Sequence, residues 1–181
     1  MILFIDTHDE IITIAIKFEN KLYIKTKVSE YSHSVFVMPI INSLFEENYL
    51  NIKDLEKVIV VNGPGSFTGI RIGLSIAKTL AYALNIKINT ISSLKAYLVS
   101  SNLKEDKIAI IEDNKGYYVC AFDKDNKIIL EEQYVMNNDF KYKEVAHELN
   151  IDKIIEYCNN LESENPHHIK ANYVKKIEVE K

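Results

Sequence analysis

The stretch VNGPGSFTGIRIGLSIAKTLAYAL, from Val61 to Leu84, contains four of the five glycines in the chain and its only arginine. Its first two glycines flank Pro64 directly after the β-branched run VIVVN. This arrangement predicts a buried strand followed by a sharp turn with positive φ. The residues after the turn predict a helix over about 68–84, capped by Thr68 or Ser66.

This stretch does not match the usual phosphate-binding loops. A Walker A loop requires a Gly-Lys pair, which the chain lacks. A dinucleotide fingerprint requires GxGxxG after a first strand, but here the third glycine falls one position late and the strand is the fourth in order. The amides at the helix N-terminus could still hold an anion, which makes Ser66, Thr68 and Arg71 a candidate anion or nucleotide site. The alternative is a tight turn and a capped helix without a ligand.

Two helical patterns carry more apolar surface than one sheet requires. The helix at 68–84 and an earlier one at about 35–48, with Ser34 or His33 as its cap and Pro39 inside it, each have an apolar arc of roughly 200°. Glycine or alanine also recurs every four residues from Gly69 to Ala81, which lets another backbone approach closely.

Either the two helices pack on each other as well as on the sheet, or a partner subunit covers them. The second interpretation predicts a partner interface at His33, Phe36, Val37, Ile40, Ile41, Leu44, Gly69, Arg71, Ile72, Gly73 and Ile76. We expect the planar guanidinium of Arg71 to act electrostatically at this interface, or on a nucleotide phosphate there, in a way that lysine cannot imitate.

The rest of the chain predicts an α/β protein of two lobes. The first half has the pattern βββαβαβ. The second half predicts strands at KIAIIED, YYVCAFD and KIILEEQYV, helices at 140–149 and 152–161, and a further strand in the tail from His167. No linker separates the halves, and we expect an N-terminal lobe at 1–102 and a smaller C-terminal lobe at 103–181.

Composition narrows the environment and the partners of the chain. Its 181 residues carry a formal net charge of −4, which gives no support to direct, electrostatically driven nucleic-acid binding. This net charge does not exclude a local cluster of basic residues on the surface. The two cysteines suit reduced thiols, and no apolar run is long enough to span a bilayer. We therefore expect a soluble, cytoplasmic protein without a secretion signal or membrane contact.

The glycine-rich segment resembles a known family. GPGSFTGIRIGLSIAKTLA (63–81) is similar to the hallmark of the TsaB (YeaZ-like) proteins of the bacterial tRNA threonylcarbamoyladenosine pathway. LFIDT (3–7) and the His33-Ser34 pair that leads into a proline-containing helix support the match. The resemblance is strong over residues 1–100 and faint beyond them.

The resemblance implies an actin-like (ASKHA, sugar kinase and Hsp70-like) fold with a βββαβα first lobe. It also implies a non-catalytic subunit that pairs, helix pair against helix pair, with a catalytic TsaD-type subunit. That complex transfers threonylcarbamoyl to adenosine 37 of tRNAs reading ANN codons, and a TsaE-type ATPase joins it. By this resemblance we expect tRNA contact only through the complex, a homodimer when the partner is absent and no cofactor of the chain's own, while ATP or ADP at the subunit interface stays open.

Departures from catalytic relatives support the same expectation. Those relatives hold a metal with an HxxxH pair on the first helix, but here Val37 stands four residues after His33. Active actin-like enzymes begin their phosphate loop with Asp, any residue and Gly, whereas this chain has Asp6-Thr7-His8. We therefore expect no catalytic residues and no metal site. No glycine follows Gly116, so we expect no second glycine-rich phosphate or adenosine loop, and because the chain is shorter than most relatives we expect an abbreviated second lobe. The alternatives are an autonomous actin-like nucleotide-dependent phosphotransferase or ATPase and a metallopeptidase, which would need metal ligands.

Overall fold

The first of two β-sheets has the strand order β3-β2-β1-β4-β5. The computed structural model describes residues 1–29 and 32–174. The strands of the first sheet are β1 (Ile2–Asp6), β2 (Ile11–Phe18), β3 (Lys21–Val28), β4 (Lys57–Val61) and β5 (Lys87–Ile91). β1, β2 and β3 form an antiparallel meander, while β4 runs parallel to β1 and β5 parallel to β4. This sheet contains the expected strand of the glycine-rich stretch.

Helices cover both faces of the first sheet. α1 (His33–Glu47) and α2 (Phe67–Leu84) lie on one face and share its hydrophobic core. α3 (Ser93–Ser100) and α4 (Ile151–Asn159) lie on the other face, between the two sheets. Among the described residues, no helix is long and apolar enough to cross a membrane.

The second sheet repeats the strand order of the first on a smaller scale, as β8-β7-β6-β9. Its strands are β6 (Lys107–Asp113), β7 (Gly116–Phe122), β8 (Ile128–Val135) and β9 (Lys143–Glu144). As β4 does beside β1, β9 runs parallel to β6, but it has only two residues. The predicted α/β, actin-like two-lobe fold with an abbreviated second lobe is confirmed.

The predicted helix at 140–149 is wrong. The segment instead runs along the edge of β6, where Lys143 N donates to Asp106 O at 3.1 Å and Val145 N donates to Ile108 O at 2.9 Å. Val145 is also buried in the layer between the sheets. Pairing with a distant strand overrides the local helical pattern here.

The helix caps and the tail also differ from expectation. Ser32 is the N-cap of α1 and makes no side-chain cap bond, so neither His33 nor Ser34 caps it. The tail forms no strand within residues 167–174, because it packs on α2: Ile169 enters the core and its carbonyl accepts from Lys78 Nζ at 3.1 Å. Residues 175–181 lie outside the described residues.

The division into lobes at 1–102 and 103–181 stays a prediction. One buried cluster contains Phe4 of the first sheet and Phe122 of the second, together with side chains of α3 and α4. The backbone also returns to the first sheet after α4, where Asn172 N donates to Asn62 O at 2.8 Å.

Candidate functional site

The glycine-rich turn between β4 and α2 encloses the hairpin that joins β1 and β2. Ser66 N donates to His8 O at 2.6 Å. The same carbonyl group leaves no room for a side chain at the preceding residue, Gly65. Gly65 has φ +152°, and a Cβ there would lie 2.2 Å from the same carbonyl oxygen. A residue other than glycine at this position would therefore displace the hairpin.

The small residues of α2 face the same hairpin. A Cβ at Gly69 would lie 2.1 Å from Thr7 O, and one at Gly73 would lie 2.4 Å from Thr7 Oγ1. The Thr7 hydroxyl donates to Gly69 O at 2.8 Å. The backbone that approaches this stripe belongs to the chain itself, so Gly69 and Gly73 are not available to a partner, contrary to the sequence interpretation.

His8 lies at the centre of a buried polar cluster below the turn. Its Nδ1 is 2.7 Å from Asp6 Oδ1, and its Nε2 is 2.9 Å from the Tyr97 hydroxyl. Asp6 Oδ1 also accepts from His8 N at 3.0 Å. Asp6 therefore uses its carboxylate to hold the hairpin, as expected for a structural residue. Tyr97, from α3, stacks on His147 with ring centroids 4.6 Å apart.

The charges around this cluster change two pKa values. Burial lowers the pKa of His8, but the charges of Asp6 and Asp9 and the hydrogen bond to Asp6 outweigh burial and raise it above its ordinary value. Burial raises the pKa of Tyr97, and Asp9 and Asp6 raise it further. The phenol therefore stays protonated: its hydroxyl donates to Nε2 when His8 is neutral and accepts from Nε2–H when His8 is charged. Sequence reasoning missed Tyr97 and His147, which carry no local motif and join this cluster only through the fold.

His33 attaches α1 to the same hairpin. It is buried and its Nε2 lies 2.7 Å from Asp9 O. Because a carbonyl oxygen can only accept, the imidazole donates through Nε2–H. His33 therefore joins the first turn of α1 to the β1–β2 hairpin by a hydrogen bond. It is buried and is not available as an interface residue.

The predicted interface residues of α1 divide by burial. Val37, Ile41 and Leu44 are fully or almost fully buried in the core of the first lobe, so a partner cannot contact them. Phe36 and Ile40 are half-buried and line a groove of about 390 Å³ between α1 and β3. The apolar arc of α1 thus serves mainly the chain's own core, and the packing alternative explains most of it.

Apolar side chains that were not among the predicted interface residues remain exposed on α1 and at the start of α2. Val35 is 62% exposed, Met38 36% and Phe67 54%. Periodicity could not identify them, since it shows which residues are apolar but not which side of the helix meets the sheet. Ile72 and Ile76 of α2, predicted for the interface, are half-buried.

Arg71 lies on the exposed side of α2 within an aromatic pair. Its guanidinium carbon is 3.7 Å from the centre of the Phe67 ring, and its Nε donates to the Tyr173 hydroxyl at 3.1 Å. The two rings are 5.9 Å apart. This planar stacking is a contact that lysine cannot reproduce, and it presents the remaining guanidinium N–H groups at the surface.

The candidate anion site is partly used by the helix itself. Ser66 is the N-cap of α2, and its Oγ accepts from Gly69 N at 3.2 Å, so Ser66 and not Thr68 caps the helix. Thr68 and Arg71 are exposed beside it. Anion binding at these residues stays a prediction. Among residues 1–29 and 32–174, no group of three or more His, Cys, Asp or Glu side chains could hold a metal ion.

Comparison with known proteins places this geometry in a family. The family model described as TsaD, tRNA N6-adenosine threonylcarbamoyltransferase, matches residues 24–173. The tRNA threonylcarbamoyladenosine biosynthesis protein TsaB of Bacillus subtilis is 38% identical over 118 residues, which are 62% of this chain and 49% of that protein. The chain thus spans about half the length of the curated relatives it matches.

Two solved structures share the fold. A protein with similarity to peptidase YEAZ from Pseudomonas aeruginosa has a TM-score of 0.82 at 16% identity, covering 96% of this chain and 99% of that one. YeaZ from Pseudomonas aeruginosa has a TM-score of 0.71 at 19% identity, covering 80% and 74%. The chain therefore belongs to the family described as tRNA N6-adenosine threonylcarbamoyltransferase (TsaD), and over about half the length of those proteins it is similar to TsaB.

Proposed function

We propose that this chain is a non-catalytic subunit in tRNA threonylcarbamoyladenosine biosynthesis that binds a TsaD-type catalytic subunit through the outer surface of α1 and α2. The observation that carries the proposal is the exposed apolar surface of this helix pair at Val35, Met38 and Phe67. Exposed apolar patches beside half-buried ones are typical of protein interfaces.

The two helix layers differ in a way that supports this surface over any other. α3 and α4 bury their apolar side chains between the sheets, whereas α1 and α2 have an outer side that the second sheet does not cover. Phe36, Ile40, Ile72 and Ile76 add half-buried apolar area next to the exposed residues. Arg71, fixed by Phe67 and Tyr173, supplies a positive charge at the edge. This edge suits a carboxylate of the partner or a phosphate of ATP or ADP.

The reaction assigned to the complex is threonylcarbamoyl transfer to adenosine 37 of tRNAs reading ANN codons. In this proposal the chain contacts tRNA only through the complex, a TsaE-type ATPase joins the assembly, and a second copy of the chain occupies the helix pair when the catalytic subunit is missing. An autonomous phosphotransferase or ATPase has less support, because Asp6 is engaged by two bonds to His8 and the hairpin offers a side chain where a phosphate would need bare backbone.

Binding to a TsaD-type subunit from the same organism tests the proposal. Size-exclusion chromatography with light scattering should detect a complex with the unmodified chain. Met38→Glu should weaken it by roughly tenfold or more, because an unpaired carboxylate would be buried in an apolar contact. Met136→Glu is the matched control, since Met136 is 65% exposed and lies in the second lobe.

The outcomes separate the alternatives. Absence of any complex, with and without tRNA and nucleotide, would overturn the proposal. Equal binding by both variants would move the interface elsewhere on the chain. ATP turnover by the chain alone, lost in Asp6→Ala, would favour the autonomous enzyme.

A further inference from the structure

A second cavity lies on the opposite side of the first sheet from α1 and α2. It has a volume of about 320 Å³ and lies among the end of α3, the start of β6, the β7–β8 turn and α4. Four lysines line it: Lys104, Lys107, Lys124 and Lys153. We call this cavity the lysine pocket.

The topology brings these four lysines together from distant parts of the chain. Lys107 opens β6 and pairs with Phe122 at the end of β7, which places the following turn, with Lys124, beside it. Lys104 precedes β6 in the connection from α3. Lys153 stands in the first turn of α4, where Asn150 Oδ1 accepts its backbone N–H at 3.1 Å.

Three hydrogen bonds within the chain hold the Lys153 ammonium group. The other three ammonium groups have N–H donors for which the described residues supply no acceptor. Lys153 Nζ donates to Ser100 O, Ser101 O and Asn102 Oδ1. These are carbonyl groups at the end of α3, where a positive charge is favourable. The Lys104 and Lys124 side chains have no hydrogen bond or ion pair with any residue in the described part of the chain.

Lys107 gives the pocket a buried cation. The residue is 1% exposed, yet its Nζ makes a single long hydrogen bond, to Leu103 O at 3.4 Å. An ammonium group has three donors, so most of its capacity is unmet. Burial lowers the pKa of Lys107 and the charges of Lys153 and Lys104 lower it further, which together outweigh the opposite effect of the Asp123 carboxylate. A bound anion would relieve both effects.

The charge balance of the lining is unusual for this chain. Acidic residues outnumber basic ones overall, but the lining has four lysines and one carboxylate, Glu156. None of the four lysines forms a salt bridge within the described residues. Two amides, Asn126 and Asn160, and the hydroxyl-bearing residues Ser101 and Tyr157 complete the polar lining. Convergent, unpaired ammonium groups with neutral donors are suited to an anion with several oxygens and more than one negative charge.

We propose that the lysine pocket binds phosphate groups, with Lys104, Lys107 and Lys124 donating to phosphate oxygens and Asn126 adding a neutral donor. The phosphate could come from a small diphosphate ligand or from the backbone of an RNA, and the chemistry of recognition is the same. The inference does not depend on the proposed function, because the pocket shares no residue with the α1–α2 surface.

Titration of the full chain with inorganic pyrophosphate tests the proposal. Saturable binding, seen by calorimetry and by NMR shifts confined to residues 101–107 and 124–127, is the expected result. Lys104→Ala/Lys124→Ala should weaken it by roughly tenfold or more, because two charged hydrogen bonds are lost. Lys53→Ala/Lys87→Ala is the matched control, since it removes the same charge from exposed positions outside the pocket.

Further arms identify the source of the phosphate and guard against misfolding. ADP and unmodified tRNA are titrated in parallel, and the ligand whose binding falls in the pocket variant but not in the control is the source. Lys107→Met keeps the length and apolar contacts of the buried stem and should weaken binding without loss of the folded NMR spectrum. Absence of saturable binding for all three ligands would overturn the proposal, and so would equal binding by the pocket variant and its control.

Discussion

The two sheets of this chain share one strand order but are completed differently. In the first, β4 has five buried residues and leads through the glycine-rich turn into an 18-residue helix. In the second, β9 has two exposed residues, and no helix lies between β8 and β9. A parallel crossover that includes a helix needs a dozen or more residues, and residues 136–142 are too few.

This difference separates the surfaces of the two lobes. The long crossovers of the first sheet place α1 and α2 on its outer face, where Met38 and Phe67 remain exposed. The short connection of the second sheet supplies no such layer. The part of the second lobe for which we propose a function is instead the lysine pocket at the start of β6.

The largest expected effect tests whether the two sheets are stabilised together. Phe122 of the second sheet is fully buried in the cluster that also contains Phe4 of the first. Phe122→Ala should lower the free energy of unfolding by about 3–5 kcal/mol. Hydrogen exchange should detect loss of protection in β1 and β7 to the same extent.

Ile128→Ala is the control for this prediction, because Ile128 lies in the same sheet but is 40% exposed. It should change the free energy of unfolding by less than about 1 kcal/mol. Loss of protection confined to β6, β7 and β8 would contradict a shared core and would support two lobes that unfold separately.

A smaller effect is expected where α2 meets the β1–β2 hairpin, a contact without a counterpart beside β9. In an ordinary helix interior, alanine is more stable than glycine by about 1 kcal/mol. Gly69→Ala should instead destabilise by about 1–3 kcal/mol, since its Cβ would lie 2.1 Å from Thr7 O. Urea denaturation measures the difference, with the exposed Ser75→Ala as control. A stabilised Gly69→Ala variant would refute the close approach.

The smallest effect concerns the pH dependence of the first lobe. Because the pKa of His8 is raised by Asp6 and Asp9 despite burial, its charge contributes stability that is complete below the unfolded value of about 6.5. That contribution is lost as the pH rises through the folded pKa.

Urea unfolding between about pH 6 and pH 8 should therefore show the unmodified chain losing stability relative to His8→Asn as the pH rises. His167→Asn removes an exposed histidine and serves as control. An NMR titration that places the His8 imidazole below its ordinary pKa would contradict the assignment.

Much of the fold followed from local pattern. The three-stranded meander, the strand before Gly63 and the helix after it each show their own periodicity or turn chemistry, and all appear in the structure. The segment at 140–149 did not follow, since Val145 N donates to Ile108 O at the edge of β6. A helical pattern in the sequence does not show whether a distant strand will form hydrogen bonds with the same backbone.

The candidate site was predicted less well than the fold. The sequence correctly indicated two helices with wide apolar arcs, but it assigned Val37, Ile41 and Gly73 to a partner, whereas they are buried within the chain. An apolar arc has the same appearance whether it covers a core or a partner. The lysine pocket was not predicted at all, because its lysines are far apart in sequence and each is unremarkable by itself.

The amino-acid sequence alone therefore determined most of the elements of the first half and their order, the turn at Gly63-Pro64-Gly65 and the family resemblance, because these depend on residues adjacent in the chain. Only the tertiary structure decided that the glycine stripe of α2 faces Thr7 and that His8 meets Tyr97. It also decided that Lys107 is buried beside Lys153. These contacts join residues many positions apart, and they follow from how the layers close around a shared core.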